Sequence, residues 1–156
     1  MAASALSLKG RALAALARRE YSRVELSRKL AAHAESQEQL AAVLDALEAA
    51  HLLSNERFAE SLMHRRAERF GVARIRQELK QHQLAPAIVE TQVAALRATE
   101  LERARSVWRK RYEALPTNAQ ERARQARFLA ARGFAGETIW RVLGGDQGSN
   151  GGGDED

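Results

Sequence analysis

The side chains in this 156-residue sequence that could do chemistry are mostly cations. The stretch RFGVARIRQELKQHQL, residues 69 to 84, sets Arg69, Arg74, Arg76 and Lys80 among a few apolar residues. RARQARFLAARGF, residues 122 to 134, repeats the mixture with Arg122, Arg124, Arg127 and Arg132 around Leu129 and a closing Phe134. Arg65 and Arg66 precede the first stretch, and Arg109, Lys110 and Arg111 lie between the two. A guanidinium presents a planar fork of donors that matches the two oxygens of a phosphate or carboxylate. These thirteen residues are therefore the candidate partner- or DNA-binding set.

Other chemistry finds no support. There is no cysteine, which excludes disulfides and thiolate sites. The histidines, His33, His51, His64 and His82, stand 18, 13 and 18 residues apart, and none has a second ligand-type residue at helical spacing with another such pair nearby. No metal or other cofactor is expected. Glu56 and Glu60 share a helix face but read as a solvated pair with Arg57 and His64 in reach, not as a general acid and base. No glycine-rich loop follows a strand to cradle a phosphate. The expected protein is not an enzyme.

The charge balance agrees with recognition of an anion. Lys and Arg number 25 against 20 acids, and the segment 144–156, GGDQGSNGGGDED, holds four of the acids and no base. The rest of the chain is thus 25 against 16, a body that favours nucleic acid, an acidic protein surface or a membrane face. No run approaches the roughly 20 apolar residues of a membrane span. The N-terminus is arginine- and alanine-rich, but Leu13, Leu16 and Ala17 form a short stripe that reads as the first helix of a cytoplasmic protein.

The elements that must position these cations are marked by their starts. SRVE (from Ser22), SQEQ (from Ser36), TELE (from Thr99) and NAQE (from Asn118) each place a capping side chain three residues ahead of Glu or Gln. Asn55 reads as the cap of a helix beginning at Glu56, and Pro86 suits a first helical position. Gly71 and Gly133 read as helix ends that need a positive φ. No stretch alternates as a strand would, so the chain reads as all-α. Nine helices are predicted, at about 8–20, 23–33, 37–50, 55–70, 72–82, 86–97, 100–113, 119–131 and 136–143.

Laid out in threes, these helices echo one another. The first member of each triplet ends in basic residues and an aromatic (Tyr21, Phe70, Tyr112), the second carries a central Leu (Leu26, Leu79, Leu129), and the third an apolar stripe. Three three-helix repeats follow, at 1–52, 53–98 and 99–143, with a disordered acidic, Gly-rich tail at 144–156. Repeats this small must lend apolar surface to one another, which predicts an elongated, curved array.

RREYSRVELSRKL, ERFAESLMHRRAERFGVARIRQEL, VWRKRY and RQARFLAARGF, in that order, resemble the RecX family of bacterial regulators of the RecA recombinase. The resemblance spans roughly residues 13 to 143 and is most specific over Gly71–Leu79 and Phe128–Phe134. It implies tandem three-helix repeats in a crescent. It also implies a monomer that binds in the groove of the RecA–DNA filament, with weak direct contact to single- or double-stranded DNA and none to a membrane. Such a protein lowers ATP hydrolysis, strand exchange and filament extension without catalysis, in homologous recombination and DNA repair. The sequence departs from the family pattern in four places. Ser54-Asn55 stands in place of an acidic pair, His33-Ala34 and His82-Gln83 replace Lys-Gly, and the acidic tail is additional.

The competing reading is a tri-helical module that binds nucleic acid directly, with GVARIRQELKQ as recognition helix. A direct binder holds naked DNA with a salt slope set by the phosphates it neutralises, whereas a filament regulator needs the recombinase. A membrane-surface role is disfavoured, because the cations are spread over several short helices.

Overall fold

The computed structural model describes residues 6–145, and these form helices with no strand among them. The α-helices are α1 (Leu8–Arg18), α2 (Arg23–Leu30), α3 (Gln37–Ala49), α4 (Asn55–Ala67), α5 (Val72–Lys80), α6 (Pro86–Arg111), α7 (Ala119–Ala131) and α8 (Gly136–Val142), with a 3-10 turn at Ala31–His33 after α2. The all-α expectation of helical repeats is met. The acidic tail, from residue 146 on, lies outside the described residues.

Most helix starts are where the capping side chains put them. Ser7, Ser22, Ser36 and Asn118 accept the N–H of Gly10, Glu25, Gln39 and Glu121, which satisfies one otherwise unpaired donor of each first turn. α4 differs, because Ser54 is its cap and receives the Arg57 N–H at 3.2 Å. Asn55 is the first helical residue, and its Oδ1 takes the Arg23 N–H at the start of α2.

The helices predicted at 86–97 and 100–113 are one helix, α6, so the described residues hold eight α-helices and not nine. Thr99 does not open a new helix. Its hydroxyl turns back to the Leu96 carbonyl at 3.4 Å, as a mid-helix threonine does. No Gly or Pro interrupts ALRATELERARS, so nothing ends the helix there. Three triplets are recovered when the two halves of α6 are counted in successive repeats. The expected boundary between residues 98 and 99 falls inside this helix.

The chain divides into two compact units, residues 1–62 with 79–89 and residues 63–78 with 90–156. The first packs Leu8, Ala12 and Ala15 of α1, Leu26 and Leu30 of α2, and Leu40, Leu44 and Leu47 of α3 around Tyr21 and Leu53. The buried stripe of α1 is thus Leu8, Ala12 and Ala15. Leu13 and Ala17 of the expected stripe are exposed, and Leu16 is half-buried. Elsewhere in this unit Ser22, fully buried, lies 2.7 Å from His82 Nδ1, and the His82 ring packs on Phe58 at 4.4 Å between centroids. The second unit holds a cluster of Ala104, Val107, Leu129, Phe134, Ile139, Val142 and Leu143.

The turns after the second helix of each triplet differ. Gly133 has φ +90° and Gln83 φ +51°, while Ala34 is extended at φ −83°, ψ 142°. The left-handed turn is therefore kept at Gln83 without a glycine, and α2 of the first triplet ends in a 3-10 turn instead.

A candidate arginine surface in the second unit

The arginine-bearing segments of the second unit meet at two glycines. Gly71 does not have a positive φ; it is glycine because of what lies against it. A Cβ there would stand 2.4 Å from the Gly133 carbonyl oxygen and 2.5 Å from the Phe134 nitrogen. Gly71 N–H donates to Arg132 O at 2.8 Å and Ala73 N–H to Gly133 O at 3.2 Å. A Cβ on Gly133 would in turn meet Arg74 Cβ at 2.5 Å. This backbone-to-backbone contact joins the start of α5 to the end of α7, and so places Arg69, Arg74 and Arg132 in one neighbourhood.

Two polar side chains, Glu100 buried and Arg103 half-buried, hold the arrangement. Glu100 Oε1 accepts the Val72 N–H at 3.2 Å, capping α5 from another helix, and its Oε2 accepts the Thr138 hydroxyl at 3.0 Å. Arg103 donates to the carbonyls of Ala67 at 2.9 Å, Phe70 at 2.6 Å and Leu96 at 2.8 Å. Burial lowers its pKa from the ordinary arginine range, and the charge of Glu100 works against that shift. Neither residue belongs to the candidate set. A basic or acidic residue inside a mid-helix run gave no sign of caps delivered to other helices.

The thirteen candidates fall into groups. Arg66 is bound to Glu78 through Nε and Nη2 at 3.2–3.3 Å, and Arg76 to Glu90 at 2.9 Å. The Arg76 Nε–H is buried with no partner among the described residues. Arg74 lies 4.0 Å above the Phe70 ring with Nη1 3.4 Å from Ala131 O, and Arg69 stands 5.8 Å from the same ring. Arg132 covers Phe128 at 4.8 Å, Arg111 stands 5.6 Å from Tyr112, and Arg122 Nη2 donates to Leu143 O at 3.2 Å. Arg65, Arg109, Lys110, Arg124 and Arg127 are exposed and make no ion pair among the described residues. Lys80, also exposed, ends α5 and belongs to the first unit.

The basic-then-aromatic echo of the sequence is a recurring cation–π contact. Arg19 stacks on Tyr21 at 3.7 Å in the first unit, as Arg69 approaches Phe70 and Arg111 Tyr112 in the second. Of the aromatics that could stack a base, Phe58 and Phe134 are buried, and Phe70, Trp108 and Phe128 are half-covered. Trp108 donates Nε1–H to Gln125 at 2.7 Å, and Tyr112 meets Phe128 edge-on at 5.5 Å. The exposed aromatic is Trp140, one position off the Ile139 and Leu143 stripe. That offset was the signal available in the sequence.

Six carboxylates of the unit are occupied. Glu78, Glu90, Glu102 and Glu137 pair with Arg66, Arg76, Arg105 and Arg141; Glu100 caps α5; and Glu121 takes the N–H and hydroxyl of Thr117. Hydrogen bonds from Thr117 also hold the Glu121 carboxyl below its usual range. Among the described residues of the unit, Glu68 and Glu113 remain. The unit therefore displays guanidinium groups that the acids among its described residues do not neutralise. No group of three His, Asp or Glu able to hold a metal occurs among the described residues, and no described helix is long and apolar enough to cross a membrane.

Comparison with known proteins adds to this geometry. Family models described as the second and third three-helix domains of RecX match residues 54–91 and 98–143. "Regulatory protein RecX" of Ralstonia pickettii is 52% identical over 140 residues, covering 90% of this chain and 88% of that protein. Its counterpart in Leptothrix cholodnii is 54% identical over 138 residues, 88% of each chain. The crystal structure of RecX from Lactobacillus salivarius has the same fold, with a TM-score of 0.75 at 16% identity, over 87% of this chain and 92% of that one.

Proposed function

Because the chain belongs to the RecX family of regulatory proteins, we propose that it binds the RecA–DNA filament and lowers recombinase activity without catalysis. On this reading it is a cytoplasmic monomer of three three-helix units, 1–52, 53–98 and 99–143, followed by an acidic tail. Its contact surface is the arginine face of the second unit. The observation that supports this most is the imbalance in that unit: among the described residues six carboxylates are held in internal contacts, and ten of its twelve candidate cations make no ion pair. Guanidinium groups left in that state attract acidic protein side chains and DNA phosphates together, which a filament offers side by side.

The test is recombinase ATP hydrolysis on single-stranded DNA with wild-type protein and with Arg124→Glu, Arg127→Glu. Both arginines are exposed on α7 and make no ion pair among the described residues, so the helical spectrum should be unchanged while inhibition falls at least tenfold. Full inhibition by the folded variant would exclude α7 from the contact. Tight binding of naked DNA at physiological salt, equal with and without recombinase, would favour the direct DNA-binding module instead.

A further inference from the structure

A second cationic site lies in the first unit, apart from the thirteen candidates. A cavity of about 270 Å³ is lined by Arg11, Ala14 and Arg18 of α1, by Lys29 and Leu30 of α2, and by His33, with Tyr21 and Ala15 in its wall. No carboxylate lines it. Between residues 6 and 34 the acids are Glu20 and Glu25, and both are engaged, Glu20 with Arg57 and Glu25 with Arg19, each at 2.9 Å. Arg11, Arg18, Lys29 and His33 make no ion pair among the described residues. The mouth is cationic and the floor apolar.

Spacing decides what such a cavity takes. Arg11 and Arg18 are seven residues apart on one face of α1, roughly 10 Å along the axis. Lys29 and His33 stand one turn apart on the other wall. One small anion cannot engage both ends while lying on the alanines, Leu30 and Tyr21 between them. A ligand with a flat apolar middle and a phosphate at each end can. The volume, at the small end for ligand pockets, holds one such unit and not several.

We propose that this cavity binds a nucleoside carrying phosphates on both sides, with Arg11 and Arg18 on the two phosphates and the base or sugar over the apolar floor. That unit is a single residue of a nucleic-acid strand, or a free nucleotide of the same chemistry. The proposal does not depend on the recombinase, and neither does its test.

Amide shifts of the ¹⁵N-labelled full chain, without recombinase, are followed against thymidine 3′,5′-bisphosphate, thymidine 5′-monophosphate, inorganic phosphate and a short oligothymidylate. The bisphosphate should saturate shifts confined to residues 11–33, about tenfold tighter than the monophosphate, the worth of one charge-assisted contact. Inorganic phosphate should be weaker than both. Arg18→Gln and Lys29→Gln should each weaken the bisphosphate several-fold, and Arg97→Gln, an exposed cation on α6, should not. A further gain with the oligothymidylate at the same residues identifies the strand as the source, and no gain identifies the free nucleotide. Equal affinity for monophosphate and bisphosphate, shifts centred outside residues 11–33, or equally tight binding of the peptide Gly-Gly-Asp-Glu-Asp would overturn the assignment.

Discussion

Replacing Gly71 by alanine adds one methyl group, and the structure predicts that this costs a large share of the stability. The new Cβ would lie 2.4 Å from Gly133 O and 2.5 Å from the Gly133 carbon and the Phe134 nitrogen, all backbone atoms that cannot swing aside. Ordinary contact requires a separation of about 1 Å more. Opening by that much stretches Gly71 N–H to Arg132 O from 2.8 Å, and Ala73 N–H to Gly133 O from 3.2 Å, beyond hydrogen-bond range. Two lost bonds at about 1 kcal/mol each, the cost of leaving the buried Gly71 donor unpaired, and the strain of overpacking sum to about 3–5 kcal/mol. With a urea m-value of about 2 kcal/mol/M, the midpoint should fall by roughly 2 M. The control is Gly136→Ala, at the first residue of α8, where an added Cβ meets nothing within 4 Å. It should be neutral or stabilising by up to about 1 kcal/mol. If Gly71→Ala melts with the wild type, or with Gly136→Ala, the close-approach argument is wrong.

Three further outcomes can be checked on the same protein. Arg103→Met keeps the apolar stem but leaves the carbonyls of Ala67, Phe70 and Leu96 without their donor, so urea unfolding should show a loss of about 2–4 kcal/mol. Ser22→Ala removes the cap of α2 and should cost about 1–2 kcal/mol, with a displaced His82 ring signal in the NMR spectrum. The hydrogen bond from Arg19 holds the Glu25 carboxyl below its usual range, against the opposing effect of burial. A depressed carboxylate gives stability that is full above its unfolded pKa, about 4.3, and is lost as pH falls through its folded value. Glu25→Gln should therefore narrow the stability difference between pH 7 and pH 3, measured by urea midpoint.

How far the sequence could be read depended on whether the cause of each feature was local. Ser22, Ser36 and Asn118 were legible because a cap and its target lie three residues apart. TELE has the same letters as a true capping box, yet Thr99 sits inside α6, since a box marks a start only where something ends the preceding helix. Gly71 was singled out correctly but for the wrong reason. A positive φ is a property of one residue, whereas its actual constraint is the Gly133 backbone, far away in sequence. Glu100 and Arg103 were invisible for the same reason: their partners, Val72, Thr138, Ala67 and Phe70, lie 28 to 38 residues away. The core stripes at Leu40, Leu44, Leu47 and at Val89, Val93, Leu96 followed from period alone. The arginine set was legible as a set, but composition cannot say which guanidinium is already in use.

The way each arginine is used bears on the proposed contact. A guanidinium in an ion pair spends its edge donors, as Arg66 does on Glu78 and Arg76 on Glu90. A guanidinium stacked on a ring spends its face and keeps those donors for a phosphate or carboxylate. Arg132 on Phe128 is in that second state, and Arg74 on Phe70 is in it too apart from the one Nη1 donor given to Ala131 O. Stacking also fixes the long side chain in advance, so less rotamer entropy is lost when a partner arrives. On the proposed reading, Arg74 and Arg132 should therefore contribute more to filament binding than Arg76, although Arg76 lies one turn before Lys80 on α5. Removing a stacking ring, as in Phe128→Leu, should then weaken filament binding with Arg132 still present, through lost preorganisation and not lost charge.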